Sequence, residues 1–184
     1  LAVGETVSRE YVYPGYASHI LGLTGQIYQE DWPTYKEKGY DMDARVGISG
    51  CEAVFEDYLR GTRGIYYVYK NANGQVTKTE EVRAPIDGKD VWLTIDIDVQ
   101  IAAEDALKEN IESIAESASG ERRGEDANAG AVVAMDPNTG ALLALASYPS
   151  FDLTTYNKNY NLLQSNPDAP LLNRALQAVY APGS

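Results

Sequence analysis

The chain has 184 residues, of which 44% are hydrophobic and 23% are charged, a composition typical of a globular protein with one large domain or two small ones. Its formal net charge of -12, without a basic stripe, argues against binding to the phosphate backbone of nucleic acid. One cysteine and one histidine exclude an internal disulfide and any metal centre built from several of these residues. No apolar run approaches the roughly 18 residues of a membrane helix, so we expect any anchoring segment to lie outside these residues.

The distribution of tyrosine divides the chain into two modules. Ten of the fourteen tyrosines lie within residues 1–69, whereas residues 97–147 contain none and are rich in Ala, Glu and Asp. The turn dipeptides Ala84-Pro85 and Asp87-Gly88 separate strand-like runs near the middle of the chain. We therefore place the module boundary within residues 84–90.

Two helices are predicted in the first module. Asp31 and Gly39 are typical of the N-cap and the C′ residue of a short helix. Ser49 and Glu52 fit a capping box that starts a second helix, which Gly61 can end. The apolar residues of this second helix form one stripe at helical spacing, namely Cys51, Val54, Phe55, Tyr58 and Leu59.

A β-hairpin is predicted after the second helix. Residues 64–69 and 75–82 are strand-like, and Asn73-Gly74 between them can adopt the positive φ angles of a tight turn. The length of the loop leaves the register of the two strands open. A further strand is predicted over residues 91–95.

A long amphipathic helix follows that strand. Asp96 and Asp98 are its two candidate N-caps. Its apolar face consists of Val99, Ala103, Leu107, Ile111, Ile114 and Ala118. Its charged face consists of Glu104, Asp105, Lys108, Glu109 and Glu112.

Residues 131–135 and 141–146 form a second predicted antiparallel hairpin. Pro137 presets φ for a type I turn, and Gly140 tolerates the left-handed conformation that closes it. Both strands are apolar without alternation, which indicates that both of their faces are covered. Two segments are predicted to be loops or connections without regular structure, residues 119–128 and residues 148–170.

Five stretches match motifs of one protein family, in the family's order and over nearly the whole chain. They are Arg9-Glu10-Tyr11-Val12-Tyr13-Pro14-Gly15 with Ala17-Ser18-His19-Ile20-Leu21-Gly22, then Arg45-Val46-Gly47-Ile48-Ser49-Gly50-Cys51-Glu52, then Leu93-Thr94-Ile95-Asp96 with Gln100, then Gly130 to Asp152, and finally Asn173-Arg174-Ala175 with Tyr180-Ala181-Pro182-Gly183-Ser184. The chain thus resembles the class B penicillin-binding proteins. The stretch that begins at Arg45 is the most specific of the five.

This resemblance implies an α+β fold in two parts. Residues 1–88 would form the pedestal, or dimerisation, domain without its N-terminal start, and residues 89–184 would form the opening helix and hairpin of a transpeptidase domain. The motif residues of the pedestal are expected to be structural; they are Arg9, Tyr13, Pro14, Gly15, Arg45, Gly47, Ser49, Gly50, Glu52 and Gly61, with Arg60 as a further charged member. Arg45 and Glu52 are the candidate ion pair among them.

The resemblance also implies the chemistry. Members of the family are peptidoglycan D,D-transpeptidases, which cross-link stem peptides through an acyl-serine intermediate that β-lactams trap. Ser184 corresponds to the serine nucleophile. The family's lysine three residues later and its later motifs would follow Ser184, so residues 1–184 by themselves are expected to be catalytically incompetent.

His19 and Cys51 receive structural interpretations. His19 has no partner carboxylate nearby in sequence, so a hydrogen-bonded structural histidine is favoured over a general base. Cys51 stands where the family usually has a branched aliphatic residue, and we interpret it as a small hydrophobe rather than a reactive thiol. No cofactor and no metal are expected.

The implied location is the extracytoplasmic face of the bacterial cytoplasmic membrane. The implied ligands are peptidoglycan stem peptides and β-lactams, and the implied protein partners are a membrane glycan polymerase, other division or elongation proteins, or a second copy. Two alternatives stay open, a non-catalytic pedestal module that binds cell-wall synthesis partners and a β-lactam sensor domain. Pedestal motifs at Arg9 and Gly47 count against the sensor, because sensors resemble the isolated catalytic domain.

Overall fold

The computed structural model describes residues 9–117, 124 and 126–179. These residues form short helices and two-stranded antiparallel sheets, which confirms the predicted α+β class. Two compact units are present, one of residues 22–93 and the other of the described residues up to Leu21 together with those from Thr94 onward. The division into domains at residue 88 stays a prediction. None of the described helices is long and apolar enough to cross a membrane.

The elements follow one another without internal repetition. In chain order they are α1 (Ser18–Leu21), β1 (Thr24–Gln26), α2 (Trp32–Glu37), β2 (Arg45–Gly47), α3 (Gly50–Val54), α4 (Glu56–Leu59), β3 (Ile65–Lys70), β4 (Val76–Arg83), α5 (Ile97–Ser117), β5 (Gly130–Met135), β6 (Leu142–Tyr148), α6 (Tyr156–Ser165) and α7 (Arg174–Gln177). Each sheet is a pair of neighbouring strands in this order, β1 with β2, β3 with β4 and β5 with β6.

The unit of residues 22–93 has a small core beside the β1–β2 sheet. Gly25 of β1 lies opposite Val46 of β2 in an antiparallel ladder. Val46 is buried together with Tyr40 and Ala44, and three partly buried residues pack against this cluster, namely Ile27, Trp32 and Tyr35. Burial of these aromatic and aliphatic side chains is the main apolar contribution to this unit.

Helix α2 agrees with the predicted short helix. Pro33 lies in its first turn, where the missing proline amide costs no helical hydrogen bond. Gly39 follows its end with φ of +76°, the left-handed conformation that glycine adopts without a Cβ penalty. Asp31 occupies the N-cap position, but its side chain makes no capping hydrogen bond.

The predicted capping box at Ser49 is wrong. Ser49 stands at the N-cap of α3 in an extended conformation, yet its hydroxyl oxygen accepts the Leu23 amide at 3.0 Å and caps nothing. The single helix predicted up to Gly61 is divided into α3 and α4 at Phe55, whose φ of -105° and ψ of 15° are not helical. Long-range pairing of the hydroxyl thus takes precedence over the local capping pattern.

The apolar stripe of this region is only partly buried. Cys51, Phe55 and Leu59 are half-buried, as their spacing predicts. Val54 and Tyr58 are 75% and 57% exposed, so their predicted place on the same buried face is wrong. Because α3 and α4 are single-turn helices separated by a break, one continuous helical face does not form.

The predicted hairpin of the first module is confirmed as β3 and β4. Val68 lies opposite Thr79, which fixes the register that the sequence left open. Asn71 closes the turn, because its Oδ1 accepts the Gln75 amide at 3.0 Å, and Gly74 has the expected positive φ of +77°. All residues of both strands are exposed.

The strand predicted over residues 91–95 is wrong. These residues have no strand conformation, and Trp92 is 92% exposed. The segment that follows contacts β6 through two isolated hydrogen bonds. The Thr94 hydroxyl donates to the Leu142 carbonyl at 2.7 Å, and the Asp96 amide donates to the Leu143 carbonyl at 2.9 Å. Residues 94–96 therefore lie along the edge of β6 without pairing with it as a β-strand.

Asp96 then starts the long predicted helix, α5. Its Oδ1 accepts the Asp98 amide at 3.0 Å and the Val99 amide at 3.2 Å, so Asp96 is the cap and Asp98 belongs to the first turn. The helix is confirmed, but its predicted apolar face is partly wrong. Val99 and Ile114 are exposed, whereas the polar Gln100 is fully buried. Ala118 lies outside the described residues.

Gln100 joins α5 to the edge of β6 that β5 leaves free. Its Oε1 accepts the Leu145 amide at 2.7 Å, and its Nε2 donates to the Leu145 carbonyl at 3.0 Å. Nε2 also donates to Glu104 Oε1 at 2.6 Å. The side-chain amide thus replaces a neighbouring strand, and both protons of Nε2 are used.

The second predicted hairpin is confirmed as β5 and β6. Val133 lies opposite Leu145 in the antiparallel ladder, and Gly140 closes the turn with φ of +74°. Strand β6 is covered on both faces, because Ala144 and Ala146 on one face are fully buried and Leu145 and Ser147 on the other are only 7% and 3% exposed. Strand β5 is not, because Val133 and Met135 are 52% and 56% exposed, so the prediction of full coverage is wrong for this strand.

Residues 148–170 contain a helix that the sequence did not predict. Helix α6 occupies ten residues of this segment. Its sequence is rich in Asn and Tyr, which have modest helix propensity, and it carries no side-chain cap. The predicted loop at residues 119–128 lies mostly outside the described residues.

The Gln100 bonds predict the effect of removing the amide. Gln100→Leu leaves the Leu145 amide and carbonyl buried without partners, so we expect the free energy of unfolding to fall by about 2–4 kcal/mol. The control is Asn110→Ala on the exposed side of the same helix, which removes only a local bond to the Ala106 carbonyl and should change stability by less than about 0.5 kcal/mol. Chemical denaturation of both variants measures the difference, and equal stabilities would contradict the assigned role of Gln100.

Candidate functional site

The predicted nucleophile, Ser184, lies outside the described residues. The nearest described structure along the chain is α7 with the turn before it. Arg174 begins α7 and is buried, with only 7% of its surface exposed. Its guanidinium donates to two successive carbonyls of that turn, from Nη1 to Ala169 at 3.0 Å and from Nη2 to Asp168.

Ser147 ties the start of α7 to strand β6. Its hydroxyl oxygen accepts the Arg174 amide at 3.0 Å and the Ala175 amide at 3.4 Å. Asn173 occupies the N-cap position in an extended conformation but makes no side-chain cap. A serine from a neighbouring strand therefore satisfies the helix amides that a cap residue would normally receive.

His19 supports the same turn from α1. Its Nε2 lies 2.8 Å from the Pro170 carbonyl, and because a carbonyl can only accept, Nε2 carries the proton. The imidazole also meets the edge of Phe151 at a centroid distance of 5.2 Å. Burial lowers the pKa of His19 from its ordinary value, partly opposed by the Pro170 bond. His19 is thus a hydrogen-bonded histidine.

The first motif segment packs within this same unit. The Pro14 carbonyl accepts the Leu153 amide at 3.0 Å, and the Tyr16 hydroxyl donates to Asp105 at 3.0 Å. Ser18 donates its hydroxyl to the Phe151 carbonyl at 2.5 Å. Motif residues Arg9, Tyr13, Pro14 and Gly15 therefore belong to the compact unit that contains α5 to α7.

A groove lies beside this segment. It has a volume of about 540 Å³ and is lined by the segment at Tyr16, by acidic and basic residues of α5 and by residues 147–152. Glu104 on its wall accepts the Ala17 amide at 2.8 Å, and burial raises the pKa of this carboxyl. Among the described residues no group of three or more His, Cys, Asp or Glu side chains could hold a metal ion.

In the unit of residues 22–93, the motif that begins at Arg45 is organised by Glu56. Glu56 Oε2 accepts the Gly47 amide at 2.8 Å, and Oε1 accepts the Tyr40 hydroxyl at 2.9 Å. Arg60 lies over the Tyr40 ring, with Cζ 3.4 Å from the ring centroid, and donates to the Gly39 carbonyl at 2.8 Å. No role was predicted for Glu56 or Tyr40 from the sequence, because the partners of Glu56 lie 9 and 16 residues away along the chain.

The glycines of this motif meet neighbouring backbone closely. A Cβ on Gly47 would stand 2.0 Å from the Glu52 carbonyl oxygen. Gly61 has φ of +67°, and a Cβ there would stand 2.4 Å from the Ile86 carbonyl oxygen. Gly50, at the start of α3, also has positive φ, +57°. These glycines allow backbone segments to approach within distances that any side chain would prevent.

Arg45 and Cys51 complete the placement of the motif residues. The Arg45 guanidinium donates to the Thr24 carbonyl at 2.7 Å, across the β1–β2 sheet. The ion pair of Arg45 with Glu52 stays a prediction. Burial, followed by the charge of Glu52, raises the pKa of the Cys51 thiol, which disfavours the reactive thiolate.

Comparison with known proteins assigns the family. The model of the penicillin-binding protein dimerisation domain matches residues 1–93, and that of the penicillin-binding protein transpeptidase domain matches residues 130–184. The order of these two domains, with the motif geometry described above, defines the class B penicillin-binding proteins. The chain belongs to this family.

Relatives with known names cover almost the whole chain. The peptidoglycan D,D-transpeptidase MrdA of Acinetobacter baumannii is 32% identical over 183 residues, which are 97% of this chain and 25% of that protein. A solved structure of a peptidoglycan synthase complex that coordinates polymerization and crosslinking contains a chain with a TM-score of 0.74 and 34% identity, covering 90% of this chain and 29% of the other. A complex of penicillin-binding protein PBP2 with MreC from Helicobacter pylori gives a TM-score of 0.67 and 29% identity, over 90% and 28%. The chain thus spans about a quarter of the length of these proteins.

The environment of Tyr40 predicts a loss of stability at high pH. Burial, together with the hydrogen bond and charge of Glu56, raises the pKa of Tyr40 from 10.0 to about 12, against the opposing effect of Arg60. The folded state therefore holds this proton more tightly than the unfolded state, and the resulting stability is lost as pH rises from 10 towards 12. Denaturation of Tyr40→Phe should show a shallower loss over that range than the unmodified protein.

The control for this measurement is Tyr67→Phe, which removes a hydroxyl from the exposed hairpin. Its pH dependence should follow that of the unmodified protein. Parallel curves for Tyr40→Phe and Tyr67→Phe would show that Tyr40 does not carry the effect.

Proposed function

We propose that this chain is part of a peptidoglycan D,D-transpeptidase in which Ser184 is the acyl-serine nucleophile. The observation that supports this most directly is the transpeptidase-domain match, which runs through residues 130–184 and ends on the sequence Tyr180-Ala181-Pro182-Gly183-Ser184. The names of relatives such as MrdA support the same activity. The dimerisation-domain match over residues 1–93 favours this enzyme over a β-lactam sensor.

In the proposed reaction, the Ser184 oxygen attacks the carbonyl carbon between the two D-alanines of a stem peptide. The terminal D-alanine leaves with the serine proton on its amine, and an amine of a second stem then displaces the serine, which regains a proton. A hydroxyl needs a neighbouring base for the first step. In the family that base is a lysine three residues after the serine. A polypeptide of residues 1–184 alone should therefore not be acylated by penicillin.

The proposed location is the outer face of the bacterial cytoplasmic membrane, where stem peptides are cross-linked. β-Lactams would acylate Ser184 because their strained amide mimics the D-Ala-D-Ala bond. No cofactor is needed for this acyl transfer, since the serine ester stores the bond energy of the cleaved peptide until the second amine arrives.

A second proposed role is partner binding by the unit of residues 22–93. The specific observation is the β3–β4 hairpin, which exposes Tyr66, Tyr67, Val68 and Tyr69. Clustered exposed aromatic residues are typical of protein interfaces. The structural relatives are, by their own descriptions, components of a synthase complex and of a complex with MreC. We propose that this hairpin contacts a cell-wall synthesis partner, a membrane glycan polymerase or an elongation protein.

The enzyme proposal predicts the outcome of labelling with fluorescent penicillin. The full-length gene product should be labelled, and Ser184→Ala should abolish the label because no hydroxyl remains to form the ester. Ser165→Ala, in which an exposed helix serine is removed, should label like the unmodified protein. Persistent labelling of Ser184→Ala would end the assignment of the nucleophile.

The partner role predicts a separate effect. Tyr67→Ser combined with Val68→Ser should lower the affinity for the purified polymerase or elongation protein by at least about tenfold, since two exposed apolar anchors are lost. Penicillin labelling should be unchanged. Thr77→Ser, a conservative change on the facing strand, is the matched control; unaltered affinity of the double variant would exclude the hairpin from the interface.

A further inference from the structure

The turn that leads into α7 is held by three side chains from three parts of one unit. Arg174 bonds the Asp168 and Ala169 carbonyls from within α7. His19 of α1 bonds the next carbonyl, that of Pro170. Ser147 of β6 receives the first amides of α7. Three consecutive carbonyls of one turn, residues 168–170, are therefore each fixed by a side-chain donor.

The residue that bonds two carbonyls of this turn, Arg174, is a buried arginine. Burial of a guanidinium costs desolvation energy, and a buried charge is weak evidence for added stability. Its value lies in geometry, because the planar fork presents donors in a fixed orientation that a lysine ammonium does not reproduce. Arg174 uses two of these donors on neighbouring carbonyls, which defines the path of the turn relative to α7.

His19, which binds the same turn, is itself held in place by neighbouring residues. Its ring is held against Phe151, and the Phe151 carbonyl in turn accepts the hydroxyl of Ser18, the residue next to His19. The Asn173 side-chain amide also reaches the His19 carbonyl at 3.5 Å. Helix α1 and residues 168–174 are therefore joined by two hydrogen bonds, one at Pro170 and one at Asn173.

The proposed nucleophile follows this turn and α7 closely in sequence. Ser184 follows Arg174 by ten residues and follows the end of α7 by seven. We propose that Arg174 and His19 are positioning residues for Ser184: they fix the turn that leads into α7, the helix that precedes the nucleophile-bearing segment, and so set the rate of acylation without touching substrate. This proposal rests on the proposed function of Ser184.

The test separates binding from chemistry in the full-length gene product. Stopped-flow reaction with a fluorescent penicillin gives the dissociation constant of the initial complex and the rate constant of acylation. For Arg174→Ala we expect the acylation rate constant to fall by roughly 10- to 100-fold, as for a misplaced reacting group, with the dissociation constant changed by less than about threefold. Arg174→Lys, which keeps the charge but loses the fork, should recover part of this loss.

Paired variants of His19 test the second support independently. His19→Phe keeps an aromatic ring against Phe151 but removes the donor to Pro170, whereas His19→Gln keeps a donor and removes the ring. Acylation by His19→Phe should be slower by roughly three- to tenfold, and His19→Gln should lie closer to the unmodified protein. Lys158→Ala, which removes an exposed cation from α6, is the control and should leave both constants unchanged.

The outcomes distinguish this proposal from the function it rests on. Labelling that survives Ser184→Ala refutes the nucleophile and the positioning role with it. If Ser184→Ala is unlabelled but folded Arg174→Ala acylates at the unmodified rate constant, the function stands and the role of Arg174 is refuted. If Arg174→Ala fails to fold, Arg174→Lys and the His19 pair decide: unmodified rate constants in all three refute the proposal, and a selective fall in the acylation rate constant supports it.

Discussion

The side-chain amide of Gln100 occupies the edge of β6 that β5 leaves free, and most of the unit around it depends on this contact. Because two of its three hydrogen bonds go to the amide and carbonyl of one residue, Leu145, helix α5 cannot slide along the strand without breaking both of them. Its second proton goes to Glu104, which in turn receives the Ala17 amide. One buried glutamine thus sets the register of helix on sheet and, through a carboxylate, the position of the segment that carries α1.

Strand β6 also fixes the start of α7. Two residues beyond Leu145 along the same strand, Ser147 receives the first amides of α7. The register fixed by Gln100 therefore also determines where α7 begins, and Arg174 and His19 then fix the turn before it. Strand β6 is paired with β5 at one edge and with Gln100 at the other, and its residues 144–147 are all buried.

The sequence predicted elements whose signals are local. A helix cap at Asp96 or Asp98, the positive φ of Gly74 and Gly140 and the long helix α5 all follow from residues close together in the chain, and the structure contains the helix, both glycine conformations and the cap at Asp96. The errors concern groups whose partners are distant. The Ser49 hydroxyl accepts the Leu23 amide instead of capping its own helix. The polar Gln100 lies where periodicity would place an apolar residue. A polar side chain inside a core can be recognised only once its partner is known.

The same distinction applies to the candidate site. Family motifs identified Ser184, but they did not say what the motif residues do, and the described ones act on backbone geometry. Gly47 admits the Glu52 carbonyl and Glu56 binds the Gly47 amide in one unit, while Arg174 binds consecutive carbonyls in the other. The Glu56 carboxylate and the Arg174 guanidinium are more costly to bury than apolar side chains of similar size, so stability alone would not favour them. Their common property is direction: hydrogen bonds fix where a backbone runs to within tenths of an ångström, and acyl transfer from a serine demands that accuracy of the segment that carries it.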